Sequence, residues 1–170
     1  MRYGAIKKTD IANGEGVRVS IWVSGCRFHC PGCFNKESQA FDYGEPFNAL
    51  TAEEIYKALS PDYISGLTIL GGEPLDPLNV DQVTALARVF KFLYRDKSLW
   101  IYTGYTYEEV KDLEIMSFVD VLVDGQFQED KKDISLQFRG SSNQRIIDVQ
   151  ESLRSGSIKE WRLKYEKSRT

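Results

Sequence analysis

The chain has 170 residues, enough for one domain with a sizeable core, and its 42% hydrophobic and 28% charged content excludes disordered, collagen-like and coiled-coil classes. A net charge of −3 gives no reason to expect nucleic-acid binding, and no apolar run approaches the ~20 residues of a membrane helix. Residues 1–8 carry charge with no apolar stretch behind them, so they do not read as a secretory signal.

In chain order, Val17–Val23 is β-branched and aromatic and predicts a strand. The only three Cys of the chain, Cys26, Cys30 and Cys33, follow it directly, with the only His, His29, among them. Thr51-Ala-Glu-Glu54 fits a capping box opening a helix to about Leu59, which Ser60-Pro61 stops. Gly66–Leu70 is a short apolar run suited to a buried parallel strand, and Gly71-Gly-Glu-Pro74 ends it. Asn79-Val-Asp-Gln82 is a second capping signal. Val80, Val83, Ala87, Phe90 and Tyr94 then recur at helical spacing, with Leu86, Val89 and Leu93 widening the face. Leu99–Tyr102 is the next strand, Thr103-Gly-Tyr105 its loop, and Thr106-Tyr-Glu-Glu109 caps a short third helix. Val119–Val123 predicts another strand before Asp124-Gly125, and a last one is expected near residues 144–149.

Strands alternating with helices predict βαβ units, a parallel sheet and right-handed crossovers. About five strands in 170 residues fall short of a closed (β/α)₈ barrel of roughly 250 residues. An open doubly wound sheet and a partial, splayed barrel remain. In either one, ligands sit at the carboxyl ends of the strands. The cysteine loop, Gly71–Pro74, Thr103–Tyr105 and 124–127 all follow strands, so they are expected to share one rim.

Three Cys cannot form a closed set of disulfides. Their spacing, C-x₃-C-x₂-C, suits three thiolates converging on a soft metal centre. Buried inert thiols compete with this reading, but Arg, His, Pro and Gly separate the sulfurs without an apolar period. A zinc site with His29 competes too, but a structural zinc usually takes two separated ligand pairs, and no second pair exists. A [4Fe–4S] cluster normally takes four Cys; with three, one iron is left open to a small molecule.

The cysteine motif together with Gly71-Gly-Glu-Pro74 resembles the radical S-adenosylmethionine (SAM) enzymes. Asn13–Gly16, Val23–Cys26, Cys30–Asn35, Thr103–Tyr105, 121–125 and 139–144 extend the resemblance to the anaerobic ribonucleoside-triphosphate reductase-activating proteins, over most of residues 1–148. The resemblance implies an α/β fold, a partial, open (β/α) barrel of about five to six parallel strands. It implies a [4Fe–4S] cluster on Cys26, Cys30 and Cys33, with SAM chelating the open iron. The backbone near Gly71 and Gly72 would receive the SAM amino group, and Glu73 would orient the loop. The backbone of Gly32, Cys33 and Phe34 would meet the adenine, Phe34 following the third Cys where the wider superfamily places an aromatic before it. Thr103 and Asp124 would contact the ribose or methionine, although Asp124-Gly125 is also an ordinary turn. Reductive cleavage of SAM would give a 5′-deoxyadenosyl radical that takes hydrogen from a glycine of the large reductase subunit, with no acid–base side chain required. A reduced flavodoxin-type protein would supply the electron, in a reducing cytoplasm and without oxygen. A small radical SAM enzyme acting on a metabolite, or a non-catalytic iron–sulfur or zinc module, is the alternative.

Arg18 and Arg27 are candidates to attract a carboxylate, against ordinary solvated arginine. The run 139–145 is expected to contact the partner or to hold the last strand. Residues 1–150 are expected to form the domain and residues 151–170 a basic, partly ordered tail, with a docking segment for an acidic partner as the alternative. That tail holds six Lys/Arg against three Asp/Glu, and Leu153, Ile158, Trp161, Leu163 and Tyr165 interrupt it without a helical stripe.

Overall fold

The computed structural model describes residues 1–164. It is one seven-stranded sheet with helices on one face. The strands are β1 (Arg2–Asp10), β2 (Val17–Val23), β3 (Glu45–Pro46), β4 (Ile64–Gly71), β5 (Ser98–Tyr102), β6 (Val121–Asp124) and β7 (Arg145–Asp148), in the spatial order β3-β1-β2-β4-β5-β6-β7. β2, β4, β5 and β6 pair in parallel with one another, while β1, β3 and β7 join at the two edges through antiparallel pairings. The expectation of five to six parallel strands is therefore corrected to four. β3 and β7 end the sheet without meeting, so it is open.

The helices are α1 (Ala49–Leu59), α2 (Val80–Leu93), α3 (Tyr107–Val110) and α4 (Val149–Ser155). α1 starts before the expected capping box. Asn48 is its N-cap, its side chain accepting from the N–H groups of Leu50 and Thr51, while Thr51 lies buried in the first turn. α3 carries its expected box, with the Glu109 carboxylate accepting from the Thr106 N–H at 2.7 Å. The α2 stripe buries Val83, Leu86, Ala87 and Phe90, but Val89 and Leu93 face solvent at 40% and 49% exposure. α4 crosses residue 150, ends on a left-handed Gly156, and releases a segment that returns to the sheet. There Asp148 N–H bonds Lys159 O and Trp161 N–H bonds Ile146 O. Residues 165–170, Tyr165 among them, lie outside the described residues.

Alternation along the strands sends two sets of side chains to two faces. Val19, Ile21, Val23, Leu67, Ile69, Leu99, Ile101, Leu122 and Ile147 join the helices in the main core. Trp100, Val121, Val123 and Ile146 form a second cluster on the other face, where Phe138 and Trp161 pack on Trp100. Trp161 Nε1 also donates to Glu15 Oε2 at 3.0 Å, so the tail covers this face.

Arg18 belongs to the same layer and is fully buried rather than solvated. Its guanidinium donates to Thr68 Oγ1, Ser98 Oγ and the carbonyls of Glu15, Leu67 and Ser98. It sits near the start of β2, five acceptors away from any free ligand role, and burial holds its pKa down at about 10.

Candidate functional site

The parallel strands end on one side, and there a cavity of about 930 Å³ opens. Cys26, Cys30, Cys33, Phe34, Gly71, Gly72, Glu73 and Thr103 all line it, with Phe28, Tyr102, Gly104, Gly125, Phe127 and Arg139. The loops after β2, β4, β5 and β6 thus share one rim, as the alternation of elements implies. Two expected residues do not line the cavity. Gly32 faces outward beside Glu129. Asp124 is buried with both carboxylate oxygens already engaged, by Arg145 and by the Tyr107 N–H at 2.7 Å.

The cysteine loop is hung on its neighbours by backbone hydrogen bonds. Gly25 N–H and Cys26 N–H donate to Ser38 O and Gln39 O at 2.7 and 3.0 Å, and Glu73 N–H donates to Gly25 O at 2.8 Å. Gly72 N–H reaches Val23 O at 2.7 Å. A Cβ on Gly72 would stand 2.6 Å from both Gly25 O and Ser38 O, so the two loops meet only because this residue has no side chain. Gly71 closes the strand at φ +111°, a backbone state that favours glycine. Both glycines are required by the joint between the loops, before any ligand is considered.

Glu73 is the pin of that joint. It is 1% exposed, and Oε1 accepts from Thr103 Oγ1 at 2.7 Å and Leu75 N–H at 2.9 Å while Oε2 accepts from Gly104 N–H at 2.7 Å. Burial pushes its carboxyl up to about 7 against those three donors. Asn79, expected as a helix cap, instead donates its Nδ2 to Ser24 O and Glu73 O, both at 3.0 Å. The start of α2 is thereby tied to the bases of two rim loops.

The Arg27 side chain reaches Asp76, 1% exposed, at 3.0 Å and lies over the Phe41 ring, so it secures the loop from outside. His29 has φ 48° and its Nδ1 faces Gln39 Oε1 at 3.1 Å, outside the cavity lining. Sequence reading missed Phe28, whose ring meets Tyr105 edge-on at 4.8 Å, and Phe127, which meets Phe34 at 5.1 Å. The aromatic content of the rim loops was the available signal.

Among the described residues, no three His, Cys, Asp or Glu side chains gather tightly enough to hold a single metal ion. The fit to a larger group rests on the donor set. All three thiols are free and half-buried at one cavity. Burial acts most on the Cys26 and Cys30 thiols, and backbone hydrogen bonding at Phe28 and His29 for Cys26, and at Phe127 for Cys30, works the other way and favours the thiolate. Such donors stabilise anionic sulfur, as iron–sulfur ligation requires. In the metal-free chain, burial pushes both thiols up.

The family model described as a 4Fe-4S single cluster domain matches residues 12–147. Curated relatives carry the name anaerobic ribonucleoside-triphosphate reductase-activating protein. One from Pasteurella multocida is 43% identical over 86% of this chain and 96% of its own length. One from Enterobacteria phage T4 is 38% identical over 86% of this chain and 93% of its own length. One from Escherichia coli K12 is 38% identical over 85% of this chain and 96% of its own length.

Proposed function

The chain belongs to the family of anaerobic ribonucleoside-triphosphate reductase-activating proteins and carries its iron–sulfur cluster domain, and from that premise we propose that it is a radical SAM activase. Cys26, Cys30 and Cys33 hold a [4Fe–4S] cluster with one iron left for SAM, in an open partial barrel of radical SAM type. The observation that carries this reading is the sharing of one cavity by all three thiols, the Gly71-Gly72 turn and Thr103. When bound, the cluster held by Cys26, Cys30 and Cys33 would supply the one electron for reductive cleavage of SAM, the chemistry that would end in hydrogen abstraction from a glycine of the large reductase subunit.

The residues of this chain position and enclose. The Gly71–Gly72 backbone, Thr103 and the Cys33–Phe34 backbone line the cavity and are assigned to SAM. Glu73 and Asp124 are spent on protein donors and are positioning residues, Glu73 for the Thr103–Gly104 loop and Asp124 for Arg145 and α3. No acid or base is needed, and Glu73, the carboxylate of the joint beside the thiols, is engaged by three donors. The sheet is not closed, and its open side is assigned to the entry of a loop of the reductase. Among the described residues no helix is long and apolar enough to cross a membrane. A reduced flavodoxin-type donor in a reducing cytoplasm completes the proposal.

The test is anaerobic reconstitution followed by mixing with the large subunit, SAM and a strong reductant. A glycyl-radical resonance together with 5′-deoxyadenosine is the expected result. Iron loading without SAM cleavage would refute it, and SAM cleavage without a radical on the reductase would favour a metabolite substrate.

A further inference from the structure

Two arginines of the central sheet have every guanidinium nitrogen matched to an acceptor. Arg18 has five acceptors, and Arg145 is shared between Asp124 and Glu108. Arg139, on the cavity wall, has one: its Nη1 donates to Gln144 O at 2.8 Å. Its Nε is buried with no hydrogen-bond partner. A charged donor left unmatched under the surface costs more than an ordinary lost hydrogen bond, so it is a group the fold keeps for something.

The loop around Arg139 is fixed rather than loose. Gln144 Oε1 accepts from Gly140 N–H at 2.9 Å and Ser141 N–H at 3.2 Å, and Gln144 Nε2 donates to Gly125 O at 2.9 Å. Gly140 lies against Phe34 and Phe127, whose contact closes the loop onto the cysteine segment. Arg139 is therefore held at the cavity by the same joint that holds the rim loop after β6. The carboxylates of that wall are engaged elsewhere: Glu73 by three donors, Glu37 by Tyr43 Oη at 3.0 Å, and Asp133 by the Ser135 N–H and Oγ at 2.8 and 2.6 Å.

We propose that Arg139 is the oxyanion-binding residue of the cavity, turning its free Nε–Nη2 edge onto a carboxylate of the bound molecule. A planar fork with two donors on one edge matches a carboxylate in two parallel hydrogen bonds, which a lysine does not reproduce. The proposal rests on the function proposed above for the bearer of that carboxylate. Two bearers share the chemistry, the methionine part of SAM and an acidic group of the protein segment that enters the cavity.

The experiment uses the reconstituted wild-type chain, Arg139→Gln and Arg139→Lys, each checked for iron content and thermal midpoint. Equilibrium dialysis with SAM, without the reductase, is the first arm. If SAM carries the carboxylate, Arg139→Gln binds it roughly tenfold or more weakly, and Arg139→Lys recovers part of the loss. The second arm titrates the reductase at saturating SAM. If SAM binding is unchanged but the reductase concentration for half-maximal radical rises by a similar factor, the carboxylate belongs to the partner. Unchanged behaviour in both arms overturns the proposal. If Arg139→Gln fails to load iron, Arg139→Lys alone decides, because losing the two-donor fork must still show as weaker binding in one arm. Failure of the wild-type chain to bind SAM in the first arm would refute the radical SAM reading instead.

Discussion

Replacing Glu73 by Gln sets burial against hydrogen bonding at the joint of the rim. The carboxylate takes Thr103 Oγ1 and two backbone N–H groups at 2.7–2.9 Å, and no acceptor faces it for a proton of its own. Gln keeps one carbonyl oxygen, so its amide must point at one of the donors, Gly104 N–H or Leu75 N–H. A buried donor left facing a donor costs about 1–3 kcal/mol. The pH dependence gives the sharper test. The folded carboxyl stands near 7 against an ordinary value of 4.5, so the group is more protonated folded than unfolded. The stability it contributes is complete below pH 4.5 and is lost as pH rises to 7. The full loss is about 3 kcal/mol, from 1.36 kcal/mol per unit. Urea unfolding of both proteins between pH 5 and 8 measures the difference between them. Wild type is expected to lose ground to Glu73→Gln as pH rises. If it gains ground instead, the three donors outweigh burial, the carboxylate is held ionised, and the reasoning from burial is wrong.

Cys26→Ala, Cys30→Ala and Cys33→Ala should each abolish stable cluster loading, read as iron per chain, while leaving the thermal midpoint of the metal-free protein within a few degrees, since each thiol is only half-buried. Gly72→Ala forces its Cβ onto two backbone carbonyls and should destabilise the metal-free chain by about 2 kcal/mol or more in denaturant melts; an unchanged midpoint would show that the loops separate freely. Because the joint itself needs this glycine, loss of SAM binding in that variant would not report a ligand contact. Asp124→Asn should weaken folding by roughly 1–3 kcal/mol by unpairing Arg145 yet leave SAM affinity unchanged in dialysis; a tenfold loss of affinity would return Asp124 to the cofactor. Trp161→Ala removes a half-buried ring from Trp100 and a hydrogen bond to Glu15, and should cost roughly 2 kcal/mol by chemical denaturation, whereas a disordered tail would show no change.

The parallel centre of the sheet was legible because its strands are short apolar runs between glycines and helices, as in Gly66–Leu70. β1 was not. Arg2–Asp10 alternates poorly, carries charge and keeps most of its side chains out of the core, and it becomes a strand by pairing with β2 and β3. The rim and its three thiols were readable from residue type and position after strands. The uses of the polar residues were not, because a carboxylate or amide in a loop has the same local sequence whether it meets a ligand or a distant backbone. Asn79 looks like a cap and reaches Ser24, 55 positions away. Asp124 looks like a turn or a ligand and holds Arg145. The tail looked detached because its apolar residues have no helical period, and a β-bridge at Glu160 with one buried tryptophan contact needs none.

The suspension of the cysteine loop from Ser38, Gln39 and Glu73 by main-chain bonds has a consequence for damage and repair. A zinc finger spends its metal affinity on folding, and stripped of metal it collapses to an unfolded chain. Here the Gly25–Cys26 end of the loop is fastened by contacts that contain no sulfur, so part of the ordering entropy is met before iron arrives. An oxygen-stripped molecule should keep its loop in register as a folded blank that can be recharged in place. For a cofactor this fragile, the durable part of the machine is then the socket, and turnover of the cluster need not mean turnover of the protein.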